Sequence, residues 1–203
     1  MEADDEPTEY IIIFTTLYRL QHNTNIMACK LLLVRHGETV DNVNRIMQGQ
    51  TPGKLTDNGI SQAAELGRQM AGEHIDIFMS SDLKRAVDTC VEIALPHFGG
   101  DRSKALAGIH QTALLRERDW GSFTGRYIPD LKDAKWTDDI ETTDAMRQRA
   151  TELLAEIKRL YDGKTVLAVG HGIINKVIQS VFYNKPMQEI QRMENAEVRT
   201  LVL

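Results

Sequence analysis

Cysteine is scarce in this sequence: Cys29 and Cys90 are the two among 203 residues, and they form no C-x-x-C pair. That excludes a disulfide framework and a cysteine-based zinc site, and it fits a reducing compartment. Positive charge is short as well. With 24 Lys and Arg against 29 Asp and Glu the net charge is −5, whereas a nucleic-acid binder carries a basic face. The apolar stretch near the N-terminus, Tyr10–Leu17, falls far short of the ~20 residues that cross a bilayer. Internal repeats and low-complexity segments are also missing. These gaps point to a cytoplasmic protein with no nucleic-acid or membrane partner; the chain is expected to be a monomer or homodimer.

The chain opens MEADDEPTEY, acidic where a signal peptide would be basic. Residues 1–28 are expected to be an extension, either disordered or upstream of a true start at Met27. Residues 29–203 are expected to form a single domain, and 42% hydrophobic residues suffice for its core.

From Lys30 onward, apolar runs alternate with helical spacing. KLLLV (30–34) reads as a strand buried on both faces. Thr56 caps a helix whose Ile60, Ala63, Ala64, Gly67 and Met70 share a face. IDIFMSS (75–81) is a second strand, and Asp82 is expected to cap the helix after it. HQTALLRE is a weaker strand. Thr142–Leu160 forms a long helix, TVLAV (165–169) a strand, IINKVIQSVF a helix, and VRTLVL a closing edge strand. Gly99–Ser103 and Ile128–Glu141 are irregular insertions. The alternation predicts βαβ units in a three-layer α/β/α sandwich with a mostly parallel sheet. In such sheets the ligand site lies beyond the carboxyl ends of the strands.

Those ends carry the chemistry. The first strand runs into Arg35-His36-Gly37 and the second into a helix with Arg85 on its first turn. The third leads to Glu117, and the fourth to Gly170-His171-Gly172. Two histidines, two arginines and a carboxylate at one edge of a sheet suit a phosphoryl group. Singly each has a plainer reading: an ordinary loop pair, a snorkelling arginine, a surface ion pair beside Arg116 and Arg118. Their conjunction is what matters. GQTPGKL (49–55) is not a P-loop, since its glycines are too close and Leu55 stands where Ser or Thr is needed. A metal site built on His36, His171, Glu117 and Asp119 lacks the usual close ligand spacing, and neighbouring arginines would repel the cation.

RHGETVDN, with Asn42 six residues after His36, resembles the opening motif of the histidine phosphatase superfamily, in its phosphoglycerate mutase-like branch. MQGQTPGKLTDNGISQA, SSDLKRAVDT, LRERDWGSFTG and VGHG resemble that family's further motifs, in order, over about Lys30–Leu203. The resemblance implies His36 as nucleophile and Glu117 as proton donor. It implies Arg35, Asn42, Arg85, His171 and Gly172 around the phosphoryl oxygens, and Gln48, Gly49 and Arg118 bordering the substrate. It implies no metal and no cofactor, and a small phosphomonoester as the partner. The loop ERDWG stands between mutase and phosphatase patterns. The short Tyr127–Glu141 segment, poor in cations, favours a phosphatase over a mutase or a silent phosphate-binding module. Trp120, Phe123, Tyr127 and Trp136 are read either as an apolar wall for the substrate or as packing for the insertion.

Overall fold

Leu31 to Val34 form an unbroken apolar run because side chains alternate across a strand and both faces of this one are covered. In the computed structural model, which describes residues 28–203, this run is β1 (Lys30–Arg35). The extension expected over 1–28 lies, apart from Ala28, outside the described residues. β2 (Ile77–Ser81), β3 (Ile109–Thr112), β4 (Thr165–Gly170) and β5 (Val198–Val202) complete a sheet of order β3-β2-β4-β1-β5. β1, β2, β3 and β4 pair in parallel, and β5 runs antiparallel along β1.

Helices cover both faces. Leu31, Leu33, Val166 and Ala168 meet α5 (Thr143–Leu160) and α6 (Gly172–Phe182) through Met146, Leu153, Ile157, Ile174 and Ile178. Leu32, Val34, Leu167 and Val169 meet α2 (Asp57–Gln69) and α3 (Lys84–Ala94) through Ala63, Leu66, Ala86 and Cys90. The two short helices, α1 (Val40–Val43) and α4 (Arg102–Ala107), sit in connections. Both cysteines are buried free thiols. Among the described residues no helix is long and apolar enough to cross a membrane.

Three local expectations are corrected. Asp82 does not cap α3: Leu83 occupies the cap position without a side-chain bond, and the Asp82 carboxylate instead accepts from Arg116 Nε at 2.7 Å. β3 stops at Thr112, whose hydroxyl accepts the Leu114 amide at 3.2 Å and turns the chain into a 3₁₀ turn ahead of Glu117. The insertion at 99–103 leads into α4, because Asp101 caps the amides of Ser103 and Lys104.

Candidate active site

β1 and β4 deliver their ends side by side, Arg35 in register with Gly170. The turn after β1 is tightly constrained. A side chain on Gly37 would meet the Gly59 carbonyl oxygen at 2.4 Å, so α2 closes directly over the loop. The Gly37 amide donates to Thr89 Oγ1 at 3.0 Å, and that hydroxyl donates to the Arg85 carbonyl at 2.7 Å. α3 therefore braces the loop it shares with Arg85.

The His36 ring is buried, with its Nδ1 2.7 Å from the Gly37 carbonyl oxygen. A carbonyl only accepts, so Nδ1 carries the proton and Nε2 keeps its lone pair. The His171 ring lies edge-on to it at 5.1 Å between centroids. Arg85 is fully buried; its Nη2 donates to the Gly49 carbonyl at 2.8 Å and its Nη1 to that of Thr51. Arg35 Nη1 donates to the Met193 carbonyl at 2.7 Å. Among the described residues Arg35 Nε, Arg85 Nε and both His171 nitrogens are buried without a hydrogen-bond partner. Four such atoms in one place are the polar lining that a multiply charged anion satisfies.

Glu117 lies across the N-terminus of α6. Its carboxylate accepts the amides of Ile173 at 3.1 Å and Ile174 at 3.2 Å, and its own neighbour Arg118 at 2.8 Å. Those bonds fix the carboxylate at the helix end. Asn42 closes a capping box with Thr39, and its Oδ1 also takes Asn195 Nδ2 at 3.3 Å, which leaves its own Nδ2 as a spare donor.

Burial, then the charges of Arg85 and Arg35, hold the His36 imidazole well below its ordinary 6.5. His171 is pushed well below 6.5 by burial, Arg85, His36 and Arg35 in that order. Burial lowers Arg35 and Arg85 to about 10, so both stay cationic at neutral pH. The pocket therefore combines two charged forks with two neutral imidazoles.

Those imidazoles make stability depend on pH. The unfolded chain binds their protons below about 6.5 and the folded chain does not, so stability rises with pH through that region and is lost on acidification. Each contributes up to about 1.4 kcal/mol per pH unit below the unfolded value. Urea midpoints between about pH 7 and about pH 5.5 should show this slope, and His171→Gln should lower it. An unchanged slope in the variant would mean that His171 is protonated in the folded state.

Arg35, His36, Asn42, Gln48, Gly49, Arg85, Glu117 and Gly172 line one cavity of about 180 Å³, with His171 packed against His36 beside it. Arg118 is not brought in. Its Nε donates to the Glu141 carbonyl at 2.8 Å, and its guanidinium lies 4.8 Å from the Trp120 ring and 4.5 Å from that of Trp136. The aromatic residues divide. Trp120 lines the cavity, Phe123 is buried with Leu131 and Ile140 under the insertion, and Tyr127 sits beneath the Arg45 guanidinium. A wider cavity of about 490 Å³ includes Arg116, Glu141 and Arg149, but those arginines are already paired with Asp82 and Glu141.

Arg192, Ile173 and Asn195 belong to this site or its wall and escaped the sequence reading. The signal for two of them is topological. Because β5 runs antiparallel along β1, residues just before Val198 arrive beside Arg35 and His36: the Ala196 amide donates to the Arg35 carbonyl at 3.0 Å, and Asn195 Nδ2 to that of His36 at 2.9 Å.

Known proteins resemble this chain in sequence and in fold. A family model described as histidine phosphatase superfamily (branch 1) matches residues 31–203. The Arabidopsis thaliana metal-independent phosphoserine phosphatase is 30% identical over 73% of this chain, and the match spans 66% of that protein. The Bacillus subtilis uncharacterized phosphatase PhoE is 31% identical over 81% of this chain and 83% of its own. Among solved structures, Bacillus stearothermophilus YhfR superposes with a TM-score of 0.76 at 28% identity, covering 85% of this chain and 90% of that one. An Entamoeba histolytica phosphoserine phosphatase in complex with 3-phosphoglyceric acid gives 0.71 at 27%, covering 85% and 89%.

Proposed function

This chain belongs to the histidine phosphatase superfamily, branch 1, and on that premise we propose that it hydrolyses a small phosphorylated metabolite through a phosphohistidine on His36. The observation that carries the reading is the anchored tautomer: Nδ1 bonded to the Gly37 carbonyl leaves Nε2 as a neutral nucleophile in a cationic pocket. In the first step Nε2 attacks phosphorus, the ester P–O bond breaks, and the leaving oxygen takes a proton from the Glu117 carboxyl. In the second, water attacks the phosphohistidine, Glu117 takes its proton, and the N–P bond breaks to release phosphate and restore His36. Arg35, Arg85, His171, Asn42 and the Gly172 amide hold the phosphoryl oxygens throughout. Positioning and charge neutralisation are most of what phosphoryl transfer requires, and here guanidiniums supply them without a metal. Two transfers replace one difficult hydrolysis.

Hydrolysis rather than mutase transfer is supported by the segment after Tyr127. Lys132 and Lys135 are not among the cavity-lining residues, so nothing there offers a second phosphate site. The names of the relatives support a small phosphorylated substrate. The test is phosphate release in EDTA from sugar phosphates, 3-phosphoglycerate, phosphoserine and p-nitrophenyl phosphate. Release that persists in EDTA is expected. Loss with EDTA would make this a metal site, isomerisation of phosphoglycerate without net release a mutase, and tight phosphate binding without turnover a silent module.

A further inference from the structure

The space beside the first residue of α6 is bounded by arginines. Around a Cβ built on Gly172, the three nearest heavy atoms are all guanidinium nitrogens: Arg192 Nε and Nη2 at 3.4 Å each, and Arg35 Nε at 3.6 Å. Nε and Nη2 are the two donors on one edge of a guanidinium, so Arg192 turns its fork toward that space. Arg35 Nε is itself buried and without a hydrogen-bond partner. Two cations facing one point repel each other, and after burial the Arg192 charge is what most lowers Arg35. Among the described residues Arg192 forms no ion pair, and Glu197 of its own segment is taken by Arg199 Nε at 2.7 Å. The free protein therefore carries an uncompensated repulsion that an anion in the shared space would relieve.

Arg192 differs from the two arginines already assigned to the phosphoryl group. Arg35 and Arg85 are buried and donate to the carbonyls of Met193, Gly49 and Thr51. Arg192 lines the same cavity but is exposed, and its fork is not committed to an acid. Its backbone is nevertheless fixed, by the buried Met193 next to it and by Arg199 Nη1 on the Gln191 carbonyl at 2.9 Å. We infer that Arg192 is a further catalytic residue, a third arginine that binds the phosphoryl oxygens from the solvent side, beside Arg35 Nε and the Gly172 amide. A loose phosphoryl transition state spreads its charge over the equatorial oxygens, and an uncommitted fork can hold two of them at once. The inference rests on the phosphatase reading for the position of the phosphoryl group.

The experiment measures calorimetric affinities for inorganic phosphate and orthovanadate, and kcat/KM on p-nitrophenyl phosphate, glycerol 3-phosphate and O-phosphoethanolamine. Arg192→Gln should weaken both anions by about tenfold or more and lower kcat/KM by a similar factor on every ester, with Arg192→Lys falling between. The urea midpoint should not move, because the side chain is exposed and has no acid partner. Unchanged phosphate affinity in the glutamine variant would overturn the inference. So would losses that differ between esters by more than the loss in phosphate affinity, which would set Arg192 against the leaving group. A lowered midpoint with no relief by lysine would also overturn it and make Arg192 a structural prop. Anion affinity is read without turnover, so the two readings fail separately. A chain that binds phosphate through Arg192 but hydrolyses nothing keeps this inference and loses the phosphatase reading, whereas hydrolysis with unaltered phosphate affinity in the variant does the reverse.

Discussion

Replacing His36 with alanine should lower turnover by at least ~10⁴-fold, with phosphate still bound, because removing a nucleophile that acts as a unit with its surroundings leaves only ligand binding behind. The pocket that holds the phosphoryl group does not depend on the imidazole. Arg85 is anchored to the Gly49 and Thr51 carbonyls, Arg35 to Met193, and the Gly37 amide to Thr89. The variant therefore keeps its donors and loses the atom that attacks. Wild type quenched during turnover of a radiolabelled substrate should carry label that survives alkali and is lost in acid, as expected of a phosphorus–nitrogen bond, and the variant should carry none. Near-normal hydrolysis by the alanine variant would rule out covalent catalysis at this residue. Acid-stable label in wild type would place the phosphoryl group elsewhere.

Parts of this site that lie on one strand end were legible because a buried strand is a strong sequence signal. The run before Arg35 is apolar on both faces, and so is the run before His171, so the pairing of the two histidines followed from the alternation of strands and helices alone. Arg85 followed from its place on the first turn of the next helix. What stayed hidden depends on contacts between distant segments. Asp82 is a good helix cap by residue type, but Arg116 outbids the helix amides for its carboxylate. Arg118 stands beside Glu117 in sequence, yet the Trp120 and Trp136 rings and the Glu141 carbonyl draw it away from the cavity. Neither outcome is encoded locally.

Arg192 shows the limit from the other side. The closing strand was readable as an edge, but its direction was not. An antiparallel β5 brings residues 192–196 to the ends of β1 and β4, whereas a parallel one would carry them to the opposite edge of the sheet. The chemistry-bearing segment is therefore set by strand direction, which the apolar pattern of VRTLVL leaves open.

Glu117→Gln should separate substrates by their leaving groups. The glutamine fills the same space on the N-terminus of α6 but has no proton to give, so alkyl phosphates, whose alkoxide leaves poorly, should lose ~10²–10⁴-fold in kcat/KM. p-Nitrophenolate is stable enough to depart unprotonated, so the first step on p-nitrophenyl phosphate should be slowed far less. The second step still needs a base for water, and the variant lacks one. Rapid mixing should accordingly show a burst of nitrophenolate equal to the enzyme present, followed by slow turnover, while wild type shows no such accumulation. The phosphohistidine that builds up in the burst links this result to His36: the double variant with His36→Ala should show no burst. Equal losses on alkyl and aryl phosphates without a burst would remove Glu117 from both proton transfers and leave it a structural ligand of the α6 amides.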